Sequence, residues 1–310
     1  MPKFWKSKTI LAKMEAAYST DPVPTGAANA ILASDVTFSP MEGTDVARNV
    51  ERPHFSADPT IPAGLYASIT FSVEMVGSGT LGTPPGWGPL IRACRAAEVI
   101  TAATKVEYTP ITNNPESVAL YFDVDGTLQK MLGSRGTCAQ TLSANGIPLL
   151  TFTLSGLFSP ATEAAKPTPN YSTFQAPQVA NTQNTPTFTI GGISFVLREF
   201  KLDLANQVTP RLLIGQETIQ ITGVGEKIDM KVEAVPVSTY HPQTIAQNGT
   251  LQAIVLQHGT VNGRKVRIDV PYALQQRLTG YEQGEGIVEW PLSFLPQPSA
   301  GNDQWKITLT

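Results

Sequence analysis

Leu65-Tyr66-Ala67-Ser68-Ile69-Thr70-Phe71-Ser72-Val73-Glu74-Met75 is the stretch from which the fold can be read. Every odd position is apolar, and the even positions carry Tyr66, Ser68, Thr70, Ser72 and Glu74. Successive side chains of a strand point to opposite faces, so this alternation predicts a half-buried β-strand. Downstream, after a loop rich in glycine and proline, Trp87, Leu90, Ile91, Cys94 and Ala97 fall at helical spacing and predict one apolar stripe of a short helix. Further strands are expected at Ser117–Val124, Leu128–Leu132, Thr137–Leu142 and Leu149–Leu157.

The same order recurs in the second half of the chain. Ile228, Met230, Val232 and Ala234 alternate with Lys227, Asp229, Lys231 and Glu233, and Ser238–Asn248 can form a short helix. Leu251–Leu256, Lys265–Val270 and Ile287–Phe294 supply further strands. The order of elements matches while residue identities and loop lengths do not, which predicts an internal duplication. Length agrees, since 310 residues suffice for two domains that each bury a core. Charged residues make up only 15% of the chain, and 25 glycines with 25 prolines suit strands and turns better than long surface helices. The expected class is therefore mainly β.

Charge and cysteine content narrow the chemistry. A net charge of −3 leaves no global basic field to draw in nucleic acid by counterion release. Cys94 lies on the helical stripe and Cys138 at the start of a strand, positions that suit reduced, buried thiols. No apolar run reaches the roughly 18 residues of a membrane span, so no membrane partner is expected. Thr9-Ile10-Leu11-Ala12 is followed at once by Lys13 and Glu15, too short for a signal-peptide core, which points to the cytoplasm.

Four segments follow along the chain. Residues 1–30 read as an N-terminal arm, with an amphipathic turn around Ile10, Leu11 and Met14 and a break at Asp21-Pro22-Val23-Pro24, suited to packing on a neighbouring subunit. Residues 31–158 form the first domain, with a strand at Asp35–Phe38 and a long loop, Ser39–Gly64, whose length without structure suggests a task of its own. Residues 159–187 form an extended linker punctuated by Pro160, Pro167, Pro169, Pro177 and Pro186. Residues 188–310 form the second domain, where the connection equivalent to the long loop, Ala205–Gln216, is expected to be shorter.

Tyr121-Phe122-Asp123-Val124-Asp125-Gly126-Thr127-Leu128 resembles the first motif of the haloacid-dehalogenase-like phosphatases. That resemblance implies a nucleophilic Asp123, a general acid/base Asp125 and a neighbouring Mg²⁺. Such enzymes need a parallel sheet with crossover helices, whereas short alternating strands follow Leu128, and no later acidic pair is present. Asp125-Gly126 reads instead as a two-residue hairpin turn. Gly77-Ser78-Gly79-Thr80-Leu81-Gly82 has glycines at phosphate-loop spacing, but Thr83-Pro84-Pro85-Gly86 separates them from the helix they would have to open. His54, His241 and His258 are scattered without a second metal ligand, and Trp5, Trp87, Trp290 and Trp305 suit core or subunit packing. No residue is assigned a catalytic, cofactor-binding or metal-binding role, no cofactor is expected, and the chain is not expected to be an enzyme.

Across most of its length the chain resembles the major tail tube proteins of long-tailed bacteriophages of the non-contractile siphovirus type. The resemblance is carried by Ile10-Leu11-Ala12-Lys13-Met14-Glu15 with Tyr18-Ser19-Thr20-Asp21, and by Pro24-Thr25-Gly26-Ala27-Ala28-Asn29-Ala30-Ile31-Leu32. Pro85-Gly86-Trp87-Gly88-Pro89-Leu90-Ile91-Arg92-Ala93-Cys94, Tyr171-Ser172-Thr173-Phe174-Gln175-Ala176-Pro177 and Asn184-Thr185-Pro186-Thr187-Phe188-Thr189 add to it. It implies two tandem β-sandwich or barrel-like domains, each flanked by a short helix, and rings that stack into a hollow tube. With two such domains per chain, three chains would close a pseudo-six-fold ring. The resemblance also implies partners, namely further copies of the chain and the tape measure, tail terminator and distal tail proteins, with DNA passing through the lumen without sequence-specific binding. The expected location is the virion tail, assembled in the host cytoplasm. Other virion components, a tail terminator or an adhesin, are alternatives.

Overall fold

The computed structural model describes residues 2–310. Strands hold 50% of the residues and helices 6%, so the protein is mainly β, with open antiparallel sheets. In the first half the order is β1 (Lys8–Met14), α1 (Gly26–Asn29), β2 (Ala30–Ile31), β3 (Ser34–Ala47), β4 (Thr60–Glu74), α2 (Gly88–Ala93), β5 (Ala96–Thr101), β6 (Lys105–Pro110), β7 (Val118–Val124), β8 (Thr127–Ser143), β9 (Leu149–Leu157) and β10 (Thr162–Glu163). The second half contains β11 (Thr187–Ile190), β12 (Ile193–Ser194), β13 (Leu197–Asp203), β14 (Gln207–Leu213), β15 (Gln216–Gly223), β16 (Lys227–Glu233), α3 (Pro242–Asn248), β17 (Leu251–His258), β18 (Val266–Gln275), β19 (Glu282–Gly284), β20 (Ile287–Pro296) and β21 (Lys306–Leu309).

The alternation at Leu65–Met75 becomes β4, whose inward residues Ile69, Phe71 and Val73 are buried. They face Leu154, Phe152 and Leu150 on β9 in direct register. In the second half Ile228, Met230 and Val232 on β16 face Phe294, Leu292 and Trp290 on β20. The two sets occupy the same places in the same pairing, because period-two patterning and antiparallel register together fix which side chains meet.

The correspondence extends through both halves. In the first, pairing runs β2–β1–β7–β8–β9–β4–β3, and β10 returns to the start of β8. In the second it runs β12–β11–β17–β18–β20–β16–β13, and β21 returns to the start of β18. Helices α2 and α3 occupy matching places between β4 and β7 and between β16 and β17. β8 serves two sheets, pairing with β7 at its start and with β9 further on, across a register shift between Leu132 and Arg135. The equivalent path in the second half is split into β18 and β19.

The halves are joined edge to edge. β13 pairs with the end of β8, from Glu199 opposite Ser143 to Asp203 opposite Ala139. β21 also pairs with β6, a strand whose hairpin with β5 has no counterpart in the second half. One buried apolar cluster extends through both halves, from Ile10 to Leu309.

Several sequence expectations require correction. The arm at residues 1–30 is not a free helical turn. Lys8–Met14 is a strand between β2 and β7, with Ile10, Leu11 and Ala12 buried, because it is covered on both faces and so shows a continuous apolar run. Ser39–Gly64 is not a structureless loop. Most of it belongs to the β3–β4 hairpin, which reaches Ala47 opposite Thr60 and leaves only Arg48–Pro59 as its tip. Ala205–Gln216 is likewise no short connection but enters a second hairpin, β14–β15. Both arms are exposed along much of their length, so neither carries the buried alternation by which strands are recognised. The predicted strands Leu128–Leu132 and Thr137–Leu142 are parts of one long β8, and Ala97 lies on β5 rather than on the helix.

The proline-rich segment at 159–187 does extend, but along the molecule. Ala164 donates to Gly126 O at 3.0 Å, Asn170 to Gly26 O at 2.9 Å and Ala180 to Gly146 O at 2.8 Å. Those partners lie in the first half, while from the second half Arg264 donates to Gln175 Oε1 at 2.9 Å and the Thr260 N–H to Gln178 Oε1 at 3.2 Å, so the segment straps the two halves together.

Candidate assembly surfaces

The acidic motif is the first place to look for chemistry. Asp125 and Gly126 both have positive φ, at 50° and 88°, and form the tight turn between β7 and β8. Asp123 Oδ1 accepts the Gly126 N–H at 3.2 Å, while its Oδ2 is buried without a partner. Burial raises the Asp123 carboxyl above its usual range. Asp125 accepts the Phe4 N–H at 3.0 Å, which lowers its pKa, and lies 3.5 Å from Lys166. The carboxylates are engaged by a hairpin turn and by the N-terminal segment lying on it, and every strand pairing around them is antiparallel.

The other singled-out residues are also tied into the fold. Gly77, Gly79 and Gly263 allow two loops from opposite halves to touch. Gly79 donates to Gly263 O at 3.0 Å, and a Cβ at Gly77 would stand 2.2 Å from that same oxygen. His258 is buried between Thr185 Oγ1 at 3.1 Å and Gln178 O at 3.1 Å, and desolvation lowers its pKa. His241 caps α3 by accepting from Thr244, and His54 is exposed on the β3–β4 tip. Trp87, Trp290 and Trp305 are buried, whereas Trp5 is exposed beneath Lys8. Both cysteines are buried, free thiols, raised in pKa by desolvation. Among the described residues no group of three or more His, Cys, Asp or Glu side chains is placed to hold a metal ion, and no helix is long and apolar enough to cross a membrane. A cleft of about 420 Å³ at the junction of the halves is lined by Leu142, Asn145, Ala180, Phe188 and Phe195 among others, none of them ionisable.

What the surface does carry is unpaired strand edge and exposed apolar side chains. β3 is hydrogen-bonded to β4 on one side only, and β19 to β20 only. A strand with one open edge presents a row of unused N–H and C=O groups that another strand can take up. Near the β19 edge Tyr281, Ile287 and Val288 are exposed. The β3–β4 arm exposes Met41, Val46, Val50, Phe55 and Ile61. The β14–β15 arm exposes Leu213 and Ile214 at its tip, but its base lies against β8, β9 and β4. There Ile219 is buried, its N–H bonded to Tyr18 at 2.6 Å and its carbonyl to Arg135 at 3.0 Å. Such edges were missed in the sequence because an open edge differs from a paired one only in what its neighbour is.

The outward face of the joined sheet is mostly polar, with Leu149 and Leu157 among its few apolar residues. On the first half it is a hydroxyl ladder, with Thr70 bonded to Thr153 at 3.2 Å and Ser72 to Thr151 at 3.0 Å. Across the β8–β13 joint it continues with Lys201 paired to Asp203 at 2.9 Å, Lys227 to Asp229 at 2.8 Å, and Lys231 to Glu282 at 3.1 Å and Glu199 at 3.6 Å. No protein-family model matches the chain, and no curated protein does either.

Proposed function

We propose that the chain is a structural, non-enzymatic subunit of a bacteriophage tail tube, assembling as rings of three chains with pseudo-six-fold symmetry that stack into a conduit for DNA. The observation that carries this reading is the repeated pairing diagram together with the edge-to-edge joint between its two copies. A chain that has already joined two like units head to tail has the geometry from which a heterologous ring is made. The two halves are then tandem domains of one kind, each a sandwich-like unit with a short helix.

In this reading the polar face of the joined sheet lines the bore. Hydroxyls and internally paired lysines offer a phosphate backbone few free cations, so little counterion release would hold DNA in place. Three lysines, Lys201, Lys227 and Lys231, are paired there with four carboxylates, Asp203, Asp229, Glu199 and Glu282, which makes for a non-adhesive surface. The exposed hairpin arms and the N-terminal residues Phe4 and Trp5 provide further contacts between copies. The tape measure protein would occupy the bore before DNA does, and terminator and distal tail proteins would close the two ends.

Negative-stain electron microscopy of the purified protein, with sedimentation over a range of concentrations, tests the reading. Rings or open tubes with stacked rings are expected. Protein that stays monomeric at every concentration would remove the proposal.

A further inference from the structure

Apart from the β5–β6 hairpin and the split of the β8 path, the two halves share one pairing order, and this allows the contact between neighbouring chains to be read from the contact inside one chain. Within the chain, the end of β8 pairs with β13, with Thr141 opposite Lys201 and Ala139 opposite Asp203. The counterpart of β13 is β3. Lys201 lies opposite Asp229, and Thr37 lies opposite Thr70, at the same place relative to the core residues Ile228 and Ile69. The counterpart of the end of β8 is β19 with the residues just before it. Thr141 lies opposite Leu149 as Glu282 lies opposite Glu289, each next to the first core residue of its strand, Leu150 or Trp290.

Both counterparts are open edges, each hydrogen-bonded on one side among the described residues. β3 uses only the side facing β4, and β19 only the side facing β20. The arms repeat the pattern. β14–β15, in the second half, is seated on β8, β9 and β4 of the first, while the distal β3–β4 arm in the first half is exposed. The two open edges β3 and β19 and the exposed β3–β4 arm therefore correspond to elements that have partners within the chain.

We infer that β3 of one copy adds to β19 of the next, antiparallel and in the register of the β8–β13 joint, placing Thr37 opposite Glu282 and Ser39 opposite Gly280. Strand addition of this kind satisfies the backbone groups that both edges leave open, and the register decides which side chains meet. The β3–β4 arm then lies over the β18–β20 and β16 region of the neighbour, and the exposed Ile287 and Val288 are covered at the same joint. The inference rests on the ring-forming reading above and supplies its interface.

Cysteine pairing tests it. Two double variants, Thr37→Cys/Glu282→Cys and Ser39→Cys/Gly280→Cys, are treated with a mild oxidant and, separately, with a short bis-maleimide, alongside the single variants and a Thr37→Cys/Glu163→Cys control. A Cβ at Gly280 meets no other atom within 4 Å, so the second pair is accommodated by the fold. Both in-register pairs should give covalently joined chains ending at three copies, with at least a tenfold excess over the control. Circular dichroism and electron microscopy of the same samples establish folding and assembly. Rings that form without in-register cross-linking would overturn the edge assignment and leave the ring reading standing. Folded protein that neither assembles nor cross-links would overturn both.

Discussion

At Asp123 and His258 the fold keeps ionisable groups in surroundings that favour their neutral forms, and each gives a measurable pH dependence. Burial raises the Asp123 pKa, so the cost of its charge appears as pH rises above the ordinary aspartate range of about 4 and persists at neutrality. Asp123→Asn should therefore be at least as stable as the parent at pH 7, by up to about 1 kcal/mol in urea unfolding, with the difference disappearing in acid. The same variant addresses the phosphatase motif, since Mg²⁺-dependent phosphate-ester hydrolysis lost on Asp123→Asn would contradict the turn reading. For His258 the sign is opposite. Desolvation lowers its folded pKa, so the unfolded chain binds more protons and stability falls as pH drops below about 6.5. His258→Gln should flatten that fall, measured as unfolding midpoints at pH 7.5 and 5.5. Equal slopes in parent and variant would assign the acid sensitivity to another group.

At the scale of elements, most of the strands that were legible in the sequence have one wet and one dry face, β7, buried on both, being an exception. β4, β9, β16 and β20 alternate because the core lies on one side of them. β1 was obscured by burial on both faces, and β3 was read only at Asp35–Phe38, its remainder obscured by exposure on both faces with Pro40 and Gly43 within it. β14 carries Pro210 and no fully buried residue, so its pairing with β15 left little trace in composition. The two core sets should respond alike to truncation. Phe152→Ala is expected to cost about 3–5 kcal/mol, and its counterpart Leu292→Ala about 2–5 kcal/mol, by chemical denaturation. The open arm gives a second prediction. Limited proteolysis should cut the unassembled chain within Arg48–Pro59 and spare that tip after assembly, whereas equal cutting in both states would show that the arm is not covered by a neighbour.

For the whole molecule, the duplication has consequences beyond periodicity. The sequence revealed its order but not that the long loop and the shorter connection are both hairpin arms, the first with its tip at Arg48–Pro59 and the second turning between Leu213 and Gln216. What distinguishes the halves is the β5–β6 hairpin, present only in the first and joined to the C-terminal β21, and the split of the β8-like path into β18 and β19 in the second. A ring built from such chains alternates two kinds of wall segment and is only approximately six-fold. The candidate assembly surfaces were largely illegible beforehand, because an open edge becomes visible only when the pairing of every other strand is known.

An averaged cross-section of assembled particles by electron cryomicroscopy tests this most directly. Three chains per ring are expected, with six similar wall segments alternating between two forms around an open bore. Six whole chains per ring, or no ring under conditions where the chain is folded and concentrated, would contradict it.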